Sequence, residues 1–105
     1  MMKKNINQFG ISDNELDHLI SILQKNQHVN KITLFGSRAM GNFSNGSDID
    51  IALDGNDLTF QHIVRLSIEL DELYLLFNVD LIIYDRINEA KLFEHIRRIG
   101  KLFYD

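Results

Sequence analysis

The spacing of hydrophobic positions changes several times along the chain, and each change marks an expected element. Between residues 13 and 26, leucines and isoleucines recur every three or four positions, which predicts a helix. Ser12, followed three positions later by Glu15, is the capping-box pattern that begins such a helix. Residues 31–35 and 48–53 are short runs rich in apolar and β-branched side chains, and they predict two strands.

The second half of the chain repeats this alternation. Helical spacing returns over residues 58–77 and predicts a second helix. Residues 79–84 are apolar except at Asp80 and predict a third strand. Asn88 is expected to cap a last helix that runs to about residue 103.

The order of these elements, α-β-β-α-β-α, predicts one domain of the α/β (α+β) class over residues 1–105. We expect a small mixed β-sheet of three to four strands with flanking helices. The chain has no cysteine and no apolar run long enough to span a membrane, so we expect a cytoplasmic protein. Its net charge of −4 argues against direct nucleic-acid binding, since proteins with that task normally present a basic face.

The candidate chemistry lies around the first two expected strands. Gly36 and Ser37 follow the first strand, and after ten further residues Asp48 and Asp50 open the second. Side chains alternate along a strand, so these two carboxylates share one face, with Cα atoms about 6.6 Å apart. Asp80 joins them if the third strand lies beside the second in suitable register. Clustered carboxylates repel one another, and Mg²⁺ or Mn²⁺ is the simplest means of neutralising them.

A phosphate cradle is expected next to the carboxylates. Glycine at position 36 lets the backbone approach a ligand closely, and the Ser37 hydroxyl and nearby amides can donate to phosphate oxygens. Ser37 is also a candidate cap for a short helix that begins at Arg38. For Arg38 itself, a charge-assisted phosphate contact and an ordinary surface charge remain alternatives.

Simpler interpretations exist for several of these residues. Asp48 and Asp50 would be unremarkable as solvent-facing residues of an edge strand. Asp80 would be so as a helix cap or as the ion-pair partner of Arg86 or Lys101. The four histidines show no metal-ligand spacing and are interpreted as structural or exposed; they are His18, His28, His62 and His95.

Gly36-Ser37, ten residues and then Asp48-Ile49-Asp50 resemble the GS-x10-D-x-D signature of the polymerase-β-type nucleotidyltransferases. Asp80, one helix later and inside a strand, resembles the third carboxylate of that superfamily. The chain is most similar to its smallest branch, the minimal nucleotidyltransferase (MNT) proteins, in which Arg38-Ala39-x-Gly41 is also familiar. The resemblance covers the core of the domain, about residues 31–84, and we expect it to extend over the whole chain.

The resemblance implies transfer of a nucleoside monophosphate from an NTP, by default ATP, to an acceptor hydroxyl, with release of pyrophosphate. It implies that Asp48, Asp50 and Asp80 are catalytic and hold Mg²⁺ (or Mn²⁺). Asp80 would also help to position or deprotonate the acceptor hydroxyl. The residues implied in nucleotide binding are Gly36, Ser37, Arg38 and Ser47.

The resemblance also implies a partner protein. Larger relatives carry a second, often helical domain, for which this sequence has no room, so a separate subunit is expected. MNT proteins are commonly paired with a small helical HEPN protein encoded next door, an RNase toxin that they silence by transferring AMP to a tyrosine. Two alternatives stay open: a catalytically silent antitoxin that acts by binding, and an enzyme that modifies a small molecule with a helper subunit.

Overall fold

The structure, a computed structural model, describes residues 7–105. Its helices are α1 (Asp13–Gln24), α2 (Gly36–Met40), α3 (Phe60–Asp71) and α4 (Ala90–Ile99). Its strands are β1 (Lys31–Phe35), β2 (Ile49–Asp54), β3 (Val79–Ile83) and β4 (Lys101–Tyr104), with a 3₁₀ turn at Tyr84–Arg86. Over these residues, no helix is both long enough and apolar enough to cross a membrane.

The four strands form one mixed sheet in the order β3-β2-β1-β4. Strand β1 pairs antiparallel with both β2 and β4, whereas β2 and β3 run parallel and are connected through α3. The predicted fold class, a small mixed sheet with flanking helices, is therefore confirmed.

Alternation along β2 divides the packing into two layers. Ile49, Ile51 and Leu53 are fully buried in the main core, which also holds buried leucines of α1 and α3. Ala52 points the other way and forms a second buried cluster with Phe35 and with Ile96 of α4. Since Asp50 shares its face with Ala52, the candidate carboxylates belong to the α4 side of the sheet.

The expectation that the last helix reaches residue 103 is wrong. Helix α4 ends at Ile99, where the Gly100 N–H donates to the Ile96 carbonyl at 2.9 Å. A Cβ at Gly100 would approach the Thr33 side chain to 2.7 Å, so the chain passes too close to β1 for a larger residue. The next four residues then form β4 against β1. The apolar residues interpreted as the end of a helix are thus an edge strand.

The second expected helix is shorter than predicted and ends at Asp71 rather than at residue 77. The N–H groups of Leu73 and Tyr74 donate three residues back, to Leu70 and Asp71, which tightens the chain into turns. Tyr74 then takes a left-handed conformation with φ of 53°, which a helix cannot continue.

The first helix begins as predicted, because the Ser12 hydroxyl accepts the Glu15 N–H at 3.1 Å. The last helix is capped one residue later than expected. Glu89, not Asn88, is its N-cap, and its carboxylate accepts the N–H groups of Lys91 and Leu92.

Candidate active site

The sheet brings two of the predicted carboxylates side by side. Asp50 of β2 lies directly opposite Asp80 of β3 in the parallel register. Residues paired in this way point to the same face, so both carboxylates lie on the side that α4 covers. Asp48 was expected inside the strand, but β2 begins at Ile49, and Asp48 is exposed immediately before it.

The Asp50 carboxylate is partly buried and lies beside two other acidic side chains. Partial burial raises its pKa, and the negative charges of Asp80 and Asp48 raise it further, while His95 acts in the opposite direction. The ionised form of Asp50 is therefore disfavoured in the protein alone. A cation placed among these three carboxylates would relieve that repulsion.

The donor chemistry fits a hard cation that arrives together with a ligand. Asp48, Asp50 and Asp80 offer only oxygen atoms, the ligands that Mg²⁺ and Mn²⁺ prefer. Across residues 7–105, however, no group of three or more His, Asp or Glu side chains is already arranged to hold a metal ion. Mg²⁺ sites often complete their coordination with water and substrate phosphates, and such a site matches this partly assembled set.

Gly36, the first residue of α2, lies directly against the Asp50 side chain. Its φ is 78°, and a Cβ at this position would overlap the carboxylate oxygen Oδ2 of Asp50. Only glycine combines easy access to a positive φ with the absence of a Cβ. Next to it, Ser37 is half-buried, and its hydroxyl has no hydrogen-bond partner within the described part of the chain. The hydroxyl is therefore available to a ligand. The alternative role as a cap is absent, because α2 has no side-chain cap.

Arg38 is buried, with only 2% of its surface exposed. All five of its N–H groups donate to backbone carbonyls, at distances between 2.8 and 3.3 Å. The acceptors are Phe9, Gly10, Asn45 and Ser47, the last of which accepts twice. The guanidinium also lies over the rings of Phe43 and Phe77, at 5.0 and 4.7 Å. A phosphate contact by Arg38 would break these hydrogen bonds, so we do not propose Arg38 as a phosphate-binding residue.

Ser47 takes part in the same loop. Its hydroxyl accepts the Ser44 N–H at 2.9 Å and lies 3.3 Å from the Ser44 hydroxyl. Together with the Arg38 bonds to its carbonyl, these contacts shape the turn that leads into Asp48. A nucleotide contact by the Ser47 hydroxyl stays a prediction.

One residue at the site was missed by sequence reasoning. His95, interpreted as structural or exposed, projects from α4 so that its Nε2 accepts the Gly36 N–H at 3.1 Å. Its ring packs edge-on against Phe35, with centroids 6.2 Å apart. The two partners are separated by 59 positions in sequence, so no local motif could have indicated the contact.

Residues 17–105 match the family model described as polymerase beta, nucleotidyltransferase. The chain belongs to the polymerase-β nucleotidyltransferase family. This result confirms the resemblance drawn from the GS-x10-D-x-D pattern. No curated protein matches the chain significantly.

Solved structures of toxin–antitoxin complexes resemble this chain. A toxin–antitoxin with AMP-PNP is 30% identical, with a TM-score of 0.70 over 85% of this chain and 71% of that one. The MntA–HepT toxin–antitoxin is 25% identical, with a TM-score of 0.63 over 85% of this chain and 68% of that one. A complex of the tri-AMPylated Shewanella oneidensis HEPN toxin with MNT antitoxin is 25% identical, with a TM-score of 0.64 and coverages of 85% and 68%.

We expect Asp50→Asn to stabilise the protein at neutral pH. Because the folded-state pKa of Asp50 is raised, its ionisation destabilises the fold as pH rises from the ordinary value of 3.8 through the raised one. The variant should melt at a higher Tm than wild type at pH 7, and the difference should disappear at a pH well below 3.8. Asp17→Asn, on the exposed surface of α1, is the control. Equal Tm values for wild type and Asp50→Asn at pH 7 would show that ionisation of Asp50 does not destabilise the fold.

We expect Gly36→Ala to destabilise the fold by at least about 1–2 kcal/mol, the cost of a left-handed conformation for a residue with a Cβ. Overlap with Asp50 adds to this cost. The double variant Gly36→Ala/Asp50→Ala should therefore have a higher free energy of unfolding than the sum of the two single changes predicts, as measured by urea denaturation. Gly46→Ala, where a Cβ meets open space, is the control. Strict additivity would show that the two residues do not collide.

We expect Arg38→Lys to lower the free energy of unfolding by an amount on the order of 3 kcal/mol, because one ammonium cannot satisfy all the carbonyls that the guanidinium serves. Urea denaturation measures the loss, and the exposed Arg98→Lys on α4 serves as a control. A neutral effect of Arg38→Lys would mean that the five hydrogen bonds contribute little.

Proposed function

We propose that this protein is a Mg²⁺-dependent nucleotidyltransferase that transfers AMP from ATP to a hydroxyl group of a partner protein. The observation that supports this most is the juxtaposition of Asp50 and Asp80 with the Gly36-Ser37 turn. Family membership supports the reaction class, and the AMP-PNP and tri-AMPylated HEPN complexes support the nucleotide and the partner. The proposed partner is a small helical HEPN protein, with this chain as its antitoxin.

The reaction is an in-line displacement at the α-phosphorus of ATP. The acceptor oxygen forms a bond to that phosphorus, the bond to the bridging oxygen breaks, and pyrophosphate leaves with the electron pair. When bound, Mg²⁺ would neutralise the phosphate charge, and Asp48, Asp50 and Asp80 are the residues that would hold it. The Ser37 hydroxyl, which has no partner among the described residues, would donate to the terminal phosphates.

Asp80 is placed to serve the acceptor. It is exposed at the edge strand of the sheet, whereas its neighbour Asp50 is partly buried and crowded by Gly36. An incoming hydroxyl therefore reaches Asp80 more easily than Asp50. We assign to the Asp80 carboxylate the orientation of that hydroxyl and the acceptance of its proton.

The test is incubation of the full chain with ATP and Mg²⁺, with and without the product of an adjacent gene for a small helical protein, followed by intact-mass spectrometry. The proposal predicts a mass increase of one or more AMP units on the partner. The increase should be absent with Asp48→Asn/Asp50→Asn and unchanged with Asp17→Asn.

Binding must be measured in the same samples, because it separates the alternatives. If the double variant still forms a stable complex but transfers no AMP, the carboxylates act in the reaction rather than in assembly. If the wild type forms the complex and adds no mass, the protein is a binding antitoxin. Full transfer by the double variant would overturn the assignment of the active site.

A further inference from the structure

The Gly36 amide is already engaged in the protein alone. It donates to His95 Nε2 at 3.1 Å. In this arrangement Nε2 is a hydrogen-bond acceptor, because a ring nitrogen that accepts a hydrogen bond offers its lone pair. The imidazole thus supplies a lone pair at Gly36, where α2 begins beside the Asp50 carboxylate.

His95 belongs to α4, the helix that covers the face of the sheet on which the carboxylates lie. The ring is half-buried and packs edge-on against Phe35, the residue paired with Asp50 across β1 and β2. These contacts place the imidazole inside the candidate site rather than at its rim.

We propose that His95 is a positioning residue that takes the place of a phosphate oxygen on the Gly36 amide and gives it up when a nucleoside triphosphate binds. This inference rests on the proposed function, since it needs a triphosphate in the cradle. One N–H cannot serve both acceptors fully. A charged phosphate oxygen is the stronger acceptor of the two, so the ligand displaces the imidazole. The His95 contact therefore keeps the turn ordered in the empty protein and lowers the affinity for triphosphate.

The test compares three substitutions at position 95 by isothermal titration calorimetry with AMP-PNP in the presence of Mg²⁺. His95→Phe keeps an aromatic ring against Phe35 without an acceptor, His95→Ala removes the ring, and His95→Gln keeps an acceptor. We expect His95→Phe and His95→Ala to tighten binding two- to tenfold, which corresponds to about 0.4–1.4 kcal/mol. His95→Gln should stay within about twofold of wild type, as should the control His18→Phe on the exposed face of α1.

Two further ligands localise the effect. Inorganic tripolyphosphate should show the same tightening, and adenosine, titrated by NMR, should show none, since only phosphate competes for the Gly36 amide. The amide resonance of Gly36 should differ between free wild type and free His95→Phe, and should converge when AMP-PNP is added. A purely structural role for His95 would weaken all ligands together and would lower the Tm in parallel.

The possible failures can be told apart. If wild type binds neither AMP-PNP nor tripolyphosphate, the proposed nucleotide site is wrong, and this inference falls with it. If wild type binds both, and the Phe and Ala variants bind equally well or more weakly, the site stands and the role given to His95 is overturned. If His95→Gln tightened binding as much as His95→Phe does, the role given to His95 would also be overturned.

Discussion

The site depends on the close approach of Gly36 to the carboxylate of Asp50. Phe35 and Asp50 are paired across β1 and β2, so the residue that follows Phe35 must turn away over the Asp50 side chain. A Cβ there would overlap Oδ2, and the backbone is left-handed. Glycine at one end of the motif is therefore required by aspartate at the other end. The spacing in GS-x10-D-x-D is thus a consequence of strand pairing, with a loop of fixed length between two residues that touch.

Arg38 gives that loop its shape. Apart from Phe43, which lies against the guanidinium, the residues between Gly41 and Ser47 are small or polar and bury little apolar surface of their own. The buried guanidinium donates three hydrogen bonds to this loop, one to the Asn45 carbonyl and two to the Ser47 carbonyl directly before Asp48. Burial lowers the pKa of Arg38, and the nearby carboxylate of Asp48 opposes that change. The buried cation and the first acidic residue of the site therefore support each other.

Local pattern was sufficient for most of the fold. The α/β class and the first three strands follow from the spacing of apolar residues, whereas the pairing of Asp50 with Asp80 was expected only if β3 lay beside β2 in suitable register, which the structure supplies. Contacts distant in sequence were not accessible in this way. Strand β4 forms because β1 has a free edge, which overrides helical spacing in the last residues. Arg38 and His95 have their roles because of residues up to 59 positions away, and neither side chain differs in type from an ordinary surface residue.

Helix α4 and strand β4 explain how the backbone at His95 is held while its side chain can rotate. Ile96 is buried between Phe35 and Ala52, and the Gly100 N–H on its carbonyl joins α4 to β4, which pairs with β1. The backbone of α4 is thus tied to the strand that ends at Gly36. Displacement of the whole helix would break core packing and strand pairing together, whereas rotation of one half-buried imidazole breaks a single hydrogen bond. Exchange of His95 for a phosphate oxygen therefore requires only a side-chain rotation within a rigid sheet.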